Sequence, residues 1–155
     1  MRRAKPEKRE INPDVRYNSV NLQTLMQHVL KQGKRSLAAR LVYDALDLVN
    51  ERTGKNALDV FDTALKNVSP VMEVRPRRVG GATYQVPMEV SAERRLTLAI
   101  RWILSATRER AGKSFSDKLA SELIDASNET GAAIRKRDET HKMAEANRAF
   151  SHYRV

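Results

Sequence analysis

Between two stretches of helical periodicity lies VMEVRPRRVGGATYQVPMEV, Val71 to Val90, which alternates, turns at Gly80-Gly81 and alternates back. Two alternating limbs around a Gly-Gly pair predict an antiparallel hairpin with a two-residue turn, Val79 facing Ala82 and Val71 facing Val90. Each limb is then about nine residues, roughly 30 Å long at ~3.3 Å per residue. Pro76 and Pro87 each remove a ladder donor, which only an edge strand tolerates. A two-stranded ribbon is all edge, so the prolines fit and block further strands. The rest of the chain must carry this ribbon without extending it into a sheet.

Pairing sets Arg75, Arg77, Tyr84 and Val86 on one face and Pro76, Arg78 and Gln85 on the other, with no acid from Arg75 to Met88. Neither distal face reads as apolar enough to pack back on the helices. Met72 and Val74 on one side, and Met88 and Val90 on the other, are the expected seat. An isolated ribbon is marginal in water. It is therefore expected to be held from outside, and arginines near an aromatic ring suit phosphates and stacked bases. The plainer alternative is a solvated ribbon that binds nothing.

The flanking sequence is helical. Leu22, Leu25, Met26, Val29 and Leu30 form one stripe before Gly33. A second helix runs from Arg35 to about Gly54 through Leu37, Leu41, Val42, Ala45, Leu48 and Val49. A third, capped by Asn56, uses Leu58, Phe61, Leu65 and Val68 and halts at Pro70. Ser91 is the expected cap of a fourth, with Leu96, Ile100, Ile103 and Leu104 inward and Trp102 on its flank. SFSDKLASELIDAS gives a fifth, and a mostly polar sixth is expected over about 138–151 with Met143 and Phe150 as apolar markers. The fold class is mainly α: a bundle of about six helices with an extended two-stranded β-hairpin inserted between helices three and four. Residues 1–18 read as a basic extended arm, and 19–155 as a single helical domain with its hairpin arm at 71–90.

Charge narrows the function. Lys plus Arg number 29 against 19 Asp plus Glu, a net charge of +10, which points to a polyanion. The basic sets are Arg2, Arg3, Lys5, Lys8 and Arg9 in the arm; Lys31, Lys34 and Arg35 between helices one and two; and Arg75, Arg77 and Arg78 in the hairpin. Arg94 and Arg95 follow at the start of helix four, with Arg135 to Arg137 beyond. Cations in a first helical turn oppose the dipole by ~0.3–1 kcal/mol each, a penalty that a bound phosphate reverses. Lys34, Arg35, Arg94 and Arg95 are therefore read as phosphate sites.

Several classes fall away. No cysteine is present, so disulfides and thiolate chemistry are excluded. GKS at Gly112 lacks the earlier glycine of a phosphate loop, Thr107 standing there, and GKRS at Gly33 has His28 in that place. His28, His141 and His152 show no metal spacing, and Asp44 with Asp47 reads as a solvated helix face. No enzyme, cofactor or metal is expected, nor a small-molecule substrate. MRRAKPEKRE precedes no apolar h-region and no 18-residue apolar run occurs, so a cytoplasmic protein without a membrane partner is the expectation. An architectural DNA-binding protein with a basic β-ribbon arm is the rival reading.

MEVRPRRVGGATYQVPMEV with MAEANRAFSHYR closely resembles the bacterial small-subunit ribosomal protein S-seven family, and GKRSLAARLVYDAL and RRLTLAIRWIL resemble it too. The resemblance implies a structural, non-catalytic protein that binds 16S rRNA directly and nucleates assembly of the 3′ major domain, the head of the 30S subunit. It implies an RNA-binding surface made of the arm, the helix one–two loop, the hairpin and the start of helix four. It also places Arg77, Arg78, Gly80, Gly81 and Tyr84 near exit-site tRNA and mRNA. Contacts with the small-subunit proteins numbered nine and eleven are implied, Asn147, Arg148, Phe150, His152 and Tyr153 being candidates for protein or RNA contact at the C-terminal end.

Overall fold

The apolar stripes converge on one core. Leu22, Leu25, Val42, Leu46, Phe61, Ile100, Ile103, Leu119 and Leu123 are fully enclosed, each such burial stabilising by about 1.5–3 kcal/mol relative to exposure. The computed structural model describes residues 9–153. Its elements are α1 (Val20–Val29), α2 (Arg35–Thr53), α3 (Ala57–Val68), β1 (Met72–Val79), β2 (Ala82–Glu89), α4 (Ala92–Glu109), α5 (Phe115–Ser127) and α6 (Ala132–Ala146). A 3-10 turn over Arg148–Tyr153 follows. Helix α5 is the hub, packed against α2, α3 and α4. Among the described residues no helix is long and apolar enough to cross a membrane.

Caps set the helix starts. Ser19 Oγ accepts from the Leu22 N–H at 3.3 Å, Asn56 Oδ1 from Leu58 at 3.0 Å, and Ser114 Oγ from Asp117 at 3.2 Å, each satisfying an amide that the first turn leaves open. Ser91 precedes α4 as expected but makes no side-chain cap bond.

Three expectations are corrected. The sixth helix begins at Ala132, not near 138, and gives way to the 3-10 turn after Ala146. The polar run Arg135 to Glu139 hides its period; Ala133, Ile134, Thr140 and Ala144 are what it buries, while Met143 stands 49% exposed. In α2 the exposed Leu37 yields its place to Ala38 and Leu46. The arm is not extended through residue 18. Asp14 is buried, and its carboxylate accepts from the amides of Arg16, Tyr17 and Ser19 at 2.9–3.1 Å and from the Tyr43 hydroxyl at 3.1 Å. The Arg16 guanidinium then makes two hydrogen bonds to Asp47, at 3.0 and 2.6 Å. Arg2, Arg3, Lys5 and Lys8 lie outside the described residues.

The α5–α6 junction depends on a buried acid. Gly131, at φ +98°, precedes α6 where a Cβ would sit 3.1 Å from Glu122 Oε1 and 3.2 Å from Asp125 Cβ, and it offers no capping side chain. Glu122 supplies the missing acceptor from the neighbouring helix: Oε1 takes the Ala133 N–H at 3.0 Å. Its Oε2 lies 3.0 Å from Arg110 Nη2, as an ion pair without the angle of a directed hydrogen bond. Arg110 also pairs with Asp125.

Glu122→Ala strands the Arg110 charge in part and the Ala133 amide altogether, so it should cost about 3 kcal/mol. Glu122→Gln, which keeps the amide's acceptor, should cost less; urea denaturation measures both. Asp14 carries a pH dependence. Burial pushes its carboxyl up, but hydrogen bonds from Tyr17, Ser19, Tyr43 and Arg16 together hold it below its ordinary value. With the folded pKa below the unfolded one, its stabilisation is complete above the unfolded value and is lost as pH falls through the folded one. The stability gap between the native chain and Asp14→Asn should therefore shrink as pH is lowered from neutral to about 3, and a constant gap refutes the assignment.

Candidate nucleic-acid interface

The hairpin forms in the expected register, Val79 opposite Ala82, Arg77 opposite Tyr84 and Arg75 opposite Val86, with Val90 N–H donating to Val71 O at 3.0 Å. Gly80 and Gly81 take φ +57° and +87°, the two successive left-handed residues that a two-residue turn matching the strand twist requires. Arg75 and Arg78 are exposed, and Arg77 sits half-buried on the Tyr84 face.

The expectation that no distal face packs back is overturned. Val86 is fully buried and Pro87 buried. The Tyr84 ring meets Tyr153 at 5.0 Å in a stacked pair and Phe150 at 5.4 Å, tilted. Helix α6 packs on β1, and the C-terminal turn on β2. His141 Nε2 accepts the Val71 N–H at 3.1 Å. The ribbon is thus gripped by its own chain as far out as Tyr84.

At the base the cations are partnered. Glu73, 6% exposed, receives the Arg94 Nε at 2.8 and 2.9 Å and the Arg75 Nε at 2.5 Å. Burial pushes its carboxyl up, yet the hydrogen bonds from Arg94 and Arg75 hold it below the ordinary range. Arg95 donates to the Val90 carbonyl at 2.9 Å and to Glu89 at 3.2 Å. Arg94 and Arg95, read from sequence as phosphate sites, therefore also fasten α4 to the hairpin. Neither is sealed off, the side chains being 44% and 34% exposed.

The second basic group lies elsewhere. Lys31, Lys34 and Arg35 are exposed in and after the α1–α2 loop, and no carboxylate among the described residues pairs with them. Lys31 and Lys34 share a cleft with Arg108 from the far end of α4, roughly 20 Å along that helix from Arg94 and Arg95 at ~1.5 Å per residue. Arg9 is exposed. Arg137 bonds the Asn67 carbonyl at 2.6 Å and is held in the fold.

The C-terminal candidates form one unit. Asn147 closes α6 with its Nδ2 on Met143 O at 2.7 Å, Arg148 pairs loosely with Glu145 at 3.3 Å, and His152 Nδ1 lies 2.9 Å from Ala149 O. Phe150 and Tyr153 reach the ribbon. Sequence reasoning missed Glu73, Asp14 and Glu122. Only Glu73 left a signal, as the one acid in the limb VMEVRPRR. Among the described residues no group of three His, Cys, Asp or Glu is placed to hold a metal ion.

The family model described as "Ribosomal protein S7p/S5e" matches residues 1–148. The small ribosomal subunit protein uS7 of Thermomicrobium roseum is 59% identical over 153 residues, covering 99% of this chain and 98% of the relative. That of Thermosynechococcus vestitus is 58% identical over the same shares. The uS7 of Caldanaerobacter subterraneus is 58% identical over 147 residues, 95% of this chain and 94% of the relative. A match at this identity over nearly the whole of each chain leaves one conclusion: the chain belongs to the ribosomal protein S7p/S5e family.

Proposed function

We propose that this chain is a structural protein of the small ribosomal subunit that binds 16S rRNA directly and nucleates the head of the subunit, in the cytoplasm. The observation that carries the reading is the family match across residues 1–148, joined to a ribbon with three arginines and no acid from Arg75 to Met88. The family consists of structural ribosomal proteins, not of enzymes. The arm, the α1–α2 loop, the hairpin and the start of α4 then meet rRNA. The turn from Arg77 to Tyr84 lies beside exit-site tRNA and mRNA; proteins nine and eleven are neighbours, the latter at the C-terminal turn. The family match gives no support to the rival reading of a DNA-binding architectural protein.

The two basic groups have different parts in this reading. Lys34 and Arg35 are exposed and touch no acid among the described residues, so their charge is wholly available to phosphate. Arg94 and Arg75 divide theirs between phosphate and Glu73.

Binding of the purified protein to a folded 3′ major-domain rRNA fragment, titrated with salt beside duplex DNA, tests the function. Six to ten phosphate contacts should cost roughly 10³–10⁵ in affinity between about 50 and 200 mM salt. The rRNA complex should survive physiological salt where the DNA complex does not; equal collapse of both overturns the reading. Lys34→Ala with Arg35→Ala should lower the salt slope by about two and leave the melting temperature unchanged. An unchanged slope would remove both residues from the interface.

A further inference from the structure

The contact between Tyr84 and the C-terminal turn has no part in the function as read so far. The turn, Arg148–Tyr153, contains no buried residue. Polar ties run within it and back to α6: Phe150 N–H to Asn147 O at 3.0 Å, His152 to Ala149 O, and Arg148 to Glu145. Among the described residues it meets the ribbon ring against ring, Tyr153 stacked on Tyr84 and Phe150 tilted against it. Beside it opens a cleft of about 510 Å³ whose lining includes Val71, Met72, Pro87, His141, Ala144 and Arg148. The turn thus borders an open cleft, buries none of its own residues and is fastened at its far end by aromatic contact. Such a segment opens at low cost compared with the core.

Tyr84 is also the ring that a ribbon of this composition would offer to an unpaired base. The ring surface taken by Tyr153 cannot carry a base at the same time. We propose that the C-terminal turn is a displaceable strap: it orders the ribbon in the free protein and covers Tyr84, so that a base stacks there only where the strap has lifted. The first half stands on the contacts alone; the second rests on the reading of the ribbon as an RNA-binding arm. A partner that captures the C-terminal turn would by the same exclusion loosen the ribbon and uncover its ring.

The test uses the full-length chain with Phe150→Ala and Tyr153→Ala, which alters no charge. Without RNA, hydrogen exchange at the amides of 77–84 should quicken about tenfold while α2 and α5 keep their protection. Unchanged exchange in the ribbon overturns the strap. With an oligouridine probe, the double variant should bind about fivefold tighter, since the competent form is no longer a minority. That gain should vanish when Tyr84→Ala is added. Equal or weaker binding by the double variant overturns the covering of Tyr84. Failure of either form to bind the probe counts against the RNA-binding reading and the covering together, while the exchange measurement still decides the strap.

Discussion

A two-stranded ribbon does not stabilise itself in water, so the direction in which this one projects depends on how its base is held. That hold is the Glu73 carboxylate. It is buried in β1, and it draws Arg94 from the first turn of α4 and Arg75 from its own strand onto one pair of oxygens. A buried carboxylate alone is costly to desolvate, and two cations with directed N–H groups offset that cost. The grip is therefore specific in direction as well as favourable. With Val86 seated in the apolar base and the Val71 amide bonded to His141 of α6, the ribbon's first half is continuous with the helical body.

This changes what the basic composition means. A net charge of +10 suggests a uniformly positive surface, but the cations near the ribbon's base are engaged with acids of the fold. Those of the α1–α2 loop touch no carboxylate among the described residues. Charge that is already paired contributes less to capturing a polyanion and more to fixing the shape presented to it. The molecule thus separates an attracting group at one end of α4 from an orienting group at the other.

The hairpin, its turn and its register were legible because period two, Gly-Gly and edge prolines all point the same way. The helices with clean apolar stripes, α3 through Phe61 and Leu65 and α4 through Ile100 and Ile103, were legible for the same reason. The start of α6 was not, because Ala133 and Ile134 are followed by five charged residues and the small Ala144 carries little hydrophobic signal. Asp14 and Glu122 were invisible for a different reason. Glu122 acts through Arg110 and the Ala133 amide, and Asp14 through the Tyr43 hydroxyl as well as the nearby amides of Arg16, Tyr17 and Ser19, and such contacts leave no hydrophobic period. From sequence Tyr84 reads as a ring near tRNA and mRNA and Phe150 and Tyr153 as protein or RNA contacts, and nothing in the sequence says that these rings meet.

Placing two arginines on Glu73 has one further consequence. A phosphate that draws Arg75 outward does not strand the buried carboxylate, because the Arg94 Nε still faces both of its oxygens at 2.8 and 2.9 Å. With a single partner, the same event would leave an unpaired buried charge, at a cost of several kcal/mol. If the ribbon meets RNA as proposed, the second arginine lowers the cost of that contact by keeping the base closed while one cation is shared. The half-exposed side chains of Arg75 and Arg94, 47% and 44%, against 8% for Glu73, are the arrangement this exchange requires: a fixed acid inside, and cations free to turn toward solvent.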